Sequence, residues 1–411
     1  MISIISLFFV FLIIAIRQIG NIKIQIWQAM LGGCLIVLIA HQISFVNALK
    51  SINWEVMFFL FSMFVIGVAL EESGCLSYIT YRIFRKAKTV NQLLLLILFG
   101  IGFSSALLMN DTLAIIGTPV ILHIAKKHNI NAKFLLITLA FSITTGSVFS
   151  PVGNPQNFLI ATEGNLKNPF LTFFHYLFFP TIINLFALFF LLKLFYREHF
   201  KNNSLNHYQE TIKDNSLAFL SGISIFIFVI LIFTKIFLSL TDSKIDLKLV
   251  HITVISALPI LIFSKKRVLI VKKIDWHTLI FFASMFILMA SVWNTGFFQS
   301  IIKNLKINIT SINMIMIISI ILSQLISNVP LVALYLPLLI QSGAGVKEMM
   351  VLASGSTISG NLFILGAASN VIIIQNAEKK YGETITFWEF ARVGIPVTFI
   401  NAFIYLLFFK I

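Results

Sequence analysis

The 411-residue chain is 58% hydrophobic and only 11% charged, with a mean hydropathy of +0.97. This composition excludes a soluble globular protein and indicates a polytopic membrane protein embedded in a lipid bilayer. The formal net charge is +15, but the basic residues lie between apolar runs, as in the loops of membrane proteins. We therefore expect no nucleic-acid partner.

The apolar segments of the sequence predict the membrane-spanning elements. Allowing roughly 20 residues per span, and connecting loops, the chain holds about ten spans. The first segment lacks a positive n-region and a small-residue cleavage site, so we interpret it as a retained span rather than a signal peptide. In chain order the segments fall at about 2–16, 26–46, 55–70, 91–108, 112–124, 134–149, 171–194, 217–237, 250–264, 277–292, 312–326, 330–341, 348–364 and 391–409.

Two pairs of neighbouring segments are too short to cross the membrane twice. At 1.5 Å per residue, segments 112–124 and 330–341 reach only about 20 Å, whereas the hydrocarbon core is about 30 Å thick. The sequence therefore predicts two re-entrant hairpins, at 91–125 and 312–341.

Motifs recur along the chain at a nearly constant spacing of 213 to 222 residues. An internal repeat of this length predicts duplicated halves, 1–197 and 217–411, joined by the hydrophilic linker 198–216. Each half would hold about five spans and one re-entrant hairpin. The matching pairs are Asn53-Trp54 with Asp275-Trp276, the hairpin tips MNDT with SNVP, and Asn157 with Asn370.

Lys and Arg are divided unevenly between alternate loops. One set of loops holds 20 and the other holds 9. The richer set, which includes the linker, should be cytoplasmic. The first hairpin then starts and ends inside and the second outside, so the two halves are predicted to be inverted, as in alternating-access transporters. The basic-rich loops are 17–25, 75–90, 123–133, 197–216, 265–275 and 378–392; the basic-poor set is 45–53, 162–170, 235–250, 298–311, 341–347 and the C-terminus.

The first hairpin turns at a polar cluster. Asn110, Asp111 and Thr112 begin a helix whose free N–H groups and positive dipole end attract anions. All three residue types are also good helix N-caps, so an ordinary cap is the alternative. We favour a binding site because an ionisable Asp at membrane depth is costly and usually marks a transport pathway.

Helix-breaking sequences follow each tip. In SPVGNPQN, residues 150–157, prolines interrupt helical hydrogen bonds and the glycine permits unusual dihedrals, although a simple kink is the alternative. The second half has the tip Ser327-Asn328 and the run GNLFILGAASN, residues 360–370, whose small residues could equally serve helix packing. The predicted site residues in these runs are Ser150, Gly153, Asn154, Asn157, Gly366, Ser369 and Asn370.

At these residues the chain resembles the ion transporter superfamily, which includes dicarboxylate and citrate symporters, arsenite permeases and one group of sodium/proton antiporters. The resemblance covers nearly the whole chain and rests on MNDT…TP, SNVP…LP and GNPQN. It implies a scaffold and an elevator-type transport domain, usually in a homodimer. It also implies that the tips bind the substrate and coupling cations, with sodium expected at Asn110, Asp111 and Asn328.

The tips also depart from the Ser-Asn-Thr pattern of the superfamily's symporters. Met109 replaces the first Ser, Asp111 the first Thr and Val329 the second Thr. The Asn-Asp pair is more similar to the arsenite and antiporter branches, in which a carboxylate can carry the coupling charge. GNPQN is similar to a group of small bacterial permeases in the same superfamily.

We therefore expect a secondary active transporter in the inner (plasma) membrane. It would be an anion permease that carries a small inorganic or carboxylate ion by alternating access, with Na⁺ or H⁺ as coupling ion and no cofactor. The alternatives are an arsenite or metalloid exporter, a sodium/proton antiporter of the same fold and a membrane-embedded enzyme. No Walker A, HExxH or GxSxG motif is present, so neither an ATPase domain in this chain nor an enzymatic site is expected.

Overall fold

The chain is almost entirely helical in a computed structural model that describes residues 1–16, 18–19, 22–75, 78, 87–200, 212–240, 247–297, 300 and 308–410. Within these residues, the only strand pairing is a short antiparallel contact of Gln18–Ile19 with Ile22–Lys23. The expected all-α class is confirmed. Most of the linker 198–216 lies outside the described residues.

The first half contains nine helices in the described residues. A 3₁₀ turn, Ser147–Phe149, follows α7, and another, Arg197–Phe200, follows α9. The helices are α1 (Ile2–Ile16), α2 (Ile26–Ile39), α3 (Phe45–Ser51), α4 (Trp54–Ser73), α5 (Val90–Ser105), α6 (Asn110–His128), α7 (Ala132–Gly146), α8 (Pro155–Glu163) and α9 (Pro169–Phe195).

The second half also contains nine helices in the described residues. Two 3₁₀ turns, Ser359–Asn361 and Ile364–Gly366, occupy the break after α16. The helices are α10 (Asn215–Leu240), α11 (Leu249–Phe263), α12 (Arg267–Lys273), α13 (Trp276–Trp293), α14 (Ile312–Ile326), α15 (Asn328–Gln341), α16 (Val346–Ile358), α17 (Ala368–Tyr381) and α18 (Phe387–Lys410).

Helix packing in the first half recurs in the second, with each helix replaced by the one nine places later. Helix α2 packs on α13 and its counterpart α11 packs on α4; α6 packs on α17 and its counterpart α15 packs on α8. Within the halves, α5 and α6 both contact α7, as α14 and α15 both contact α16. The sequence repeat therefore corresponds to a repeated set of contacts, many of which join the two halves.

The repeated sequence positions mark equivalent helix starts. Asn53 caps α4, accepting a 3.1 Å hydrogen bond at Oδ1 from the N–H of Val56. Asp275 caps α13 in the same way, accepting at Oδ1 from the N–H of Thr278 at 3.1 Å. An Asn or Asp followed by Trp is a good start signal because the side chain satisfies a free N–H of the first turn.

Six of the described helical stretches have at least 18 residues and an apolar composition suited to crossing a membrane. Shorter apolar helices, among them α5, α11, α14 and α15, accompany them. The chain is a multi-pass membrane protein. The six stretches are Trp54–Ser73, Ala132–Phe149, Pro169–Phe195, Asn215–Lys235, Trp276–Trp293 and Phe387–Lys410.

The second leg of the first hairpin is longer than its apolar segment. Helix α6 has 19 residues and ends at His128, and its C-cap Asn129 adopts a positive φ of 51°. It extends beyond 112–124 because Ala and Lys form helix readily and positive charge suits a helix C-terminus. Its counterpart α15 has 14 residues and reaches about 21 Å at 1.5 Å per residue. Only the second hairpin therefore has a second leg that is too short to cross the hydrocarbon core.

The ion pairs join residues that lie in, or next to, loops of the same set. Lys266 and Asp214, at 2.7 Å, both belong to basic-rich loops, as do Lys133 and the Glu389 that it contacts at 2.7 Å. Lys248 of a basic-poor loop pairs at 2.7 Å with Glu55, which follows another. These contacts group each set of loops together. The cytoplasmic assignment of the richer set remains a prediction.

Helices α5 and α7 approach each other at two glycines. A Cβ on Gly146 would overlap the backbone of Gly102. Beside this contact, Ser105 Oγ donates a 3.0 Å hydrogen bond to the carbonyl of Ile143. The adjoining stretch of α5, Leu96–Ile101, is a π-helix, an irregularity common near functional sites.

Candidate functional site

Both hairpin tips line one cavity of about 520 Å³. Asn110 and Asp111 come from the first tip, and Ser327 and Asn328 from the second. Each of these residues except Ser327 is buried, with an exposed fraction of 5%. The structure thus brings together two tips that lie more than 200 residues apart in the sequence.

Four helix N-termini converge on this cavity. Asn110 and Asn328 begin α6 and α15, while Pro155 and Ala368 begin α8 and α17, and all four residues line the cavity. The first N–H groups of a helix lack intrahelical partners, and the helix dipole places partial positive charge there. The arrangement supplies a binding site for an anion without a basic side chain.

The starts of α2 and α13 also line the cavity, although the sequence alone did not assign them to the site. Trp27 stacks on His277 with ring centroids 4.9 Å apart. Asp275 supplies a second carboxylate to the cavity, and no Lys or Arg is among the described residues that line it. The repeat, which matches Asp275 with Asn53, marked the position without revealing this role.

Hydrogen bonds and backbone geometry fix the tips. The N–H of Asn110 donates to the carbonyl of Gly153 at 2.9 Å, and Asn110 Oδ1 accepts from the N–H of Asp111 at 2.9 Å. Ser327 has φ 70° and ψ 159°, a combination sparsely populated for any residue except Gly. Such conformations persist where surrounding contacts enforce them and cluster at binding sites.

The first break contributes Pro155 and Gln156 to the cavity lining and is held by internal hydrogen bonds. Asn154 caps α8, accepting at Oδ1 from the N–H of Asn157 at 2.8 Å. The amide of Asn157 donates to three carbonyls, among them that of Ser150 at 3.0 Å. A Cβ on Gly153 would lie 2.5 Å from the carbonyl oxygen of Ser147. These predicted site residues hold the loop that supports the first tip.

The second break leaves more of its buried polar atoms without a hydrogen-bond partner than the first break does. Ser359 Oγ donates to Asn328 Oδ1 at 2.9 Å, and Asn370 Nδ2 donates to the carbonyl of Gly360 at 2.7 Å. Buried oxygens without a hydrogen-bond partner lie in this region, and such atoms commonly mark water or an ion. They are Thr144 Oγ1, Asn361 Oδ1, Ser369 Oγ and Asn370 Oδ1.

Two other predicted residues have packing roles. Thr112 packs against α4, where a Cβ on Gly67 would overlap its methyl group. Gly366 allows the close approach of α14, since a Cβ there would lie 2.7 Å from Gln324 Oε1. Both residues are outside the cavity lining, unlike the residues of the two tips.

A buried hydroxyl joins the two breaks across the interface of the halves. Thr357 Oγ1 accepts from Asn154 Nδ2 at 3.3 Å and donates to Asn157 Oδ1 at 3.2 Å. Nearby, Asn361 Nδ2 donates to Thr145 Oγ1 at 3.1 Å. We call these contacts between α7–α8 and α16, with its 3₁₀ turn, the seam.

We expect Thr357→Val to weaken the seam. Valine matches the shape of threonine but leaves the two asparagine amides of the first half without this partner. Leaving buried polar groups unpaired typically costs about 1–3 kcal/mol. Thermal unfolding of the purified protein measures the effect, with Thr357→Ser, which keeps the hydroxyl, as the control. Equal unfolding temperatures for the Val, Ser and parent proteins would refute a stabilising seam.

A family model described as Citrate transporter matches residues 9–348 of the chain. In solved structures, the chain resembles the YdaH transporter of Alcanivorax borkumensis with a TM-score of 0.56 and 13% sequence identity. That alignment covers 89% of this chain and 87% of the other. At this identity the likeness concerns the fold alone.

Relatives match over most of their length. A 46 kDa membrane protein of Mycobacterium leprae is 27% identical over 398 residues, covering 91% of this chain and 90% of the relative. Silicon efflux transporter LSI3 of Oryza sativa subsp. japonica is 24% identical, with coverages of 90% and 89%. Putative transporter arsB of Dictyostelium discoideum is 23% identical, with coverages of 84% and 80%.

Proposed function

Because the chain belongs to the Citrate transporter family, we propose that it is a secondary active transporter of a small anion, driven by a gradient of Na⁺ or H⁺. The membership makes the chain a transporter. The family and relatives indicate a transporter rather than an enzyme. The anion and the coupling are the parts that we propose here.

The convergence of four helix N-termini on one cavity is the observation that carries this proposal. An anion at this point would face the positive dipole ends of α6, α8, α15 and α17 and would accept hydrogen bonds from those first-turn N–H groups that the tips and breaks do not already use. Two of these helices belong to each half, so the substrate would bridge the halves. A site of this kind at the interface of two repeats suits alternating access.

We place the coupling ion at the tips and the second break. Asp111 supplies a carboxylate inside the cavity, and Asn328 supplies an amide beside it. The unpaired oxygens of the second break add hard ligands of the kind that alkali and alkaline-earth cations prefer. A cation there would offset the two carboxylates and allow an anion to bind next to them.

The movement that we propose is elevator-like. Helices α5–α9 and α14–α18, which carry the tips and breaks, would shift against α1–α4 and α10–α13. The two halves would have inverted orientations, with the basic-rich loops in the cytoplasm of a cell whose inner (plasma) membrane holds the protein. We also propose a homodimer and no need for an ATPase domain in this chain.

A neutral metalloid acid is the second candidate substrate. Among the described lining residues the charged side chains are Asp111 and Asp275, both negative. A neutral hydroxylated acid would bind these carboxylates and the helix N-termini without charge repulsion. The names of the rice and Dictyostelium relatives, silicon efflux transporter and putative transporter arsB, agree with this candidate. A sodium/proton antiporter has no comparable observation in its favour.

Reconstituted vesicles test the function. We expect uptake of one of a panel of oxyanions and carboxylates, dependent on an imposed Na⁺ or pH gradient and lost when the gradient is collapsed. Arsenite and silicic acid, which are largely neutral near pH 7, form the second arm. Flux that persists without any gradient and shows no counter-ion dependence would indicate a passive channel and overturn the proposal.

A further inference from the structure

We propose that two amide–carboxylate pairs act as alternating gates: Asn53 with Glu163, which is closed here, and Asp275 with Asn376, which closes in the opposite state. The inference rests on the proposed alternating-access function. It assigns roles to four residues that the tips and breaks do not include. Asn53 and Asp275 cap the starts of α4 and α13, Glu163 ends α8, and Asn376 lies within α17.

The first gate is a hydrogen bond that is present in this structure. It joins the proposed scaffold helices to the helices that we propose to move. Asn53 Nδ2 donates to Glu163 Oε1 at 2.6 Å. Asn53 also caps α4 through its Oδ1 atom, so its side chain is held at both ends. Glu163 is the last residue of α8, the short helix that starts at the cavity. The bond thus closes the molecule at the basic-poor loops.

The sequence repeat identifies the equivalent second pair. Asn53 matches Asp275 at a spacing of 222 residues, and the spacing of 213 that matches Asn157 with Asn370 matches Glu163 with Asn376. The packing agrees, because α4 and α8 occupy the places in the first half that α13 and α17 occupy in the second. Asn376 lies on α17, as the equivalence requires.

The second pair is open in this structure. Asp275 accepts hydrogen bonds from the N–H and Oγ1 of Thr278, in its own helix, at 3.1 and 2.6 Å. Among the described residues no hydrogen bond joins it to α17. Instead, Asp275 and Gln375, the neighbour of Asn376, both line the 520 Å³ cavity. The cavity lies where the second gate would close.

The chemistry of the two pairs is conserved although their residues are exchanged. In the first half the scaffold helix carries the amide and the moving helix the carboxylate; in the second half the reverse holds. Either combination gives a hydrogen bond to an ionised acceptor, which is about twice as strong as a neutral one. Two carboxylates would repel each other, and two amides would bind more weakly. The exchange therefore preserves the bond.

With one gate closed in each end state, the two end states would have similar free energies. Breaking Asn53–Glu163 removes a bond from the present state, and forming Asp275–Asn376 adds a similar bond to the opposite state. A ligand shifts such an equilibrium only by its difference in affinity for the two states, so nearly equal end states respond most readily. The paired gates would thus keep the cycle reversible.

The accessibility of a cysteine at position 375 tests the gates without any transport assay. In a protein with Cys34 and Cys75 replaced, Gln375→Cys reports whether the cavity is open to a polar alkylating reagent. Asn53→Asp keeps the cap on α4, because Asp caps as well as Asn, but sets a carboxylate against Glu163. From two nearly equal end states, a tenfold shift of their equilibrium, which corresponds to about 1.4 kcal/mol, lowers the open fraction from about one half to about one eleventh and should slow alkylation about fivefold.

Exchange of the partners is the matched control. Asn53→Asp combined with Glu163→Asn recreates the arrangement of the second half and should restore alkylation to the parent rate. Asn376→Asp, which sets two carboxylates together in the opposite state, should hold the cavity open and leave alkylation at least as fast as in the parent. It should also slow solute turnover.

The outcomes separate the gates from the proposed function. If Asn53→Asp does not change the alkylation rate, or if the exchanged pair behaves like the single variant, the gates are wrong even where vesicles accumulate a solute. If alkylation responds as expected but no solute of the panel moves under a gradient, the gates stand and the proposed function fails.

Discussion

Replacing Asp111 by Asn is expected to abolish gradient-driven accumulation of substrate while leaving the fold intact. Asn has nearly the same shape as Asp, and the hydrogen bond from the N–H of Asn110 to the carbonyl of Gly153 does not use the side chain of Asp111, so the start of α6 should persist. The side chain lines the cavity and is almost fully buried. An ionisable group at such a position must be protonated, bound to a cation or facing water, and these choices can change as the site changes sides.

Accumulation in vesicles as a function of pH and Na⁺ measures this effect. We expect the Asn variant to equilibrate substrate without concentrating it. Asp214→Asn is the matched control, since Asp214 is likewise an acidic residue at a helix start, accepting at 3.0 Å from the N–H of Leu217, but it lies in a basic-rich loop and does not line the cavity. If Asp111→Asn concentrates substrate with the parent's pH and Na⁺ dependence, Asp111 does not carry the coupling ion.

Replacing Gly146 by Ala is expected to prevent the first hairpin from packing on α7. The added Cβ would overlap the backbone of Gly102, and backbone, unlike the end of a side chain, has no alternative rotamer. The neighbouring bond from Ser105 to Ile143 holds the helices at this separation. Overpacking typically costs about 1–3 kcal/mol, and a backbone clash in a well-packed core belongs at the upper end or beyond.

The yield of monodisperse protein and its unfolding temperature measure the change. Gly222→Ala is the control, because Gly222 lies within α10 and a Cβ there has no heavy atom within 4 Å. Ala favours a helix interior by about 1 kcal/mol over Gly, so this variant should be as stable as the parent or slightly more so. Equal yield and unfolding temperature for Gly146→Ala would show that α5 can move aside.

The long apolar helices could be predicted closely from hydropathy. The segment 312–326 coincides with α14, and 171–194 differs by two residues or fewer at each end from α9. The short polar helices α8 and α17 could not be predicted in this way, because polar residues and prolines at their starts interrupt the apolar sequence. Both begin directly after a break and present their first residues to the cavity, so the polar sequence is a helix start as well as an interruption.

The site could be predicted in part. The tips were found because Asn, Asp and Ser are rare within apolar sequence. Asp275 and His277 were not, since Asp before Trp at a helix start is explained by capping and anchoring alone. Their place in the cavity depends on how α13 meets the tips, which is a long-range contact that local sequence does not encode. The role of Thr357 in the seam was missed for the same reason.

The reciprocal packing of α6 on α17 and of α8 on α15 has a consequence for biogenesis. When the first half leaves the ribosome, its asparagines 154 and 157 lack the hydroxyl of Thr357, and α6 lacks the helix that covers it. These surfaces stay incomplete until translation has passed Tyr381, where α17 ends. During that interval the nascent chain exposes polar groups to lipid or to other membrane proteins. We therefore expect misfolding to be most frequent before the second half has been inserted.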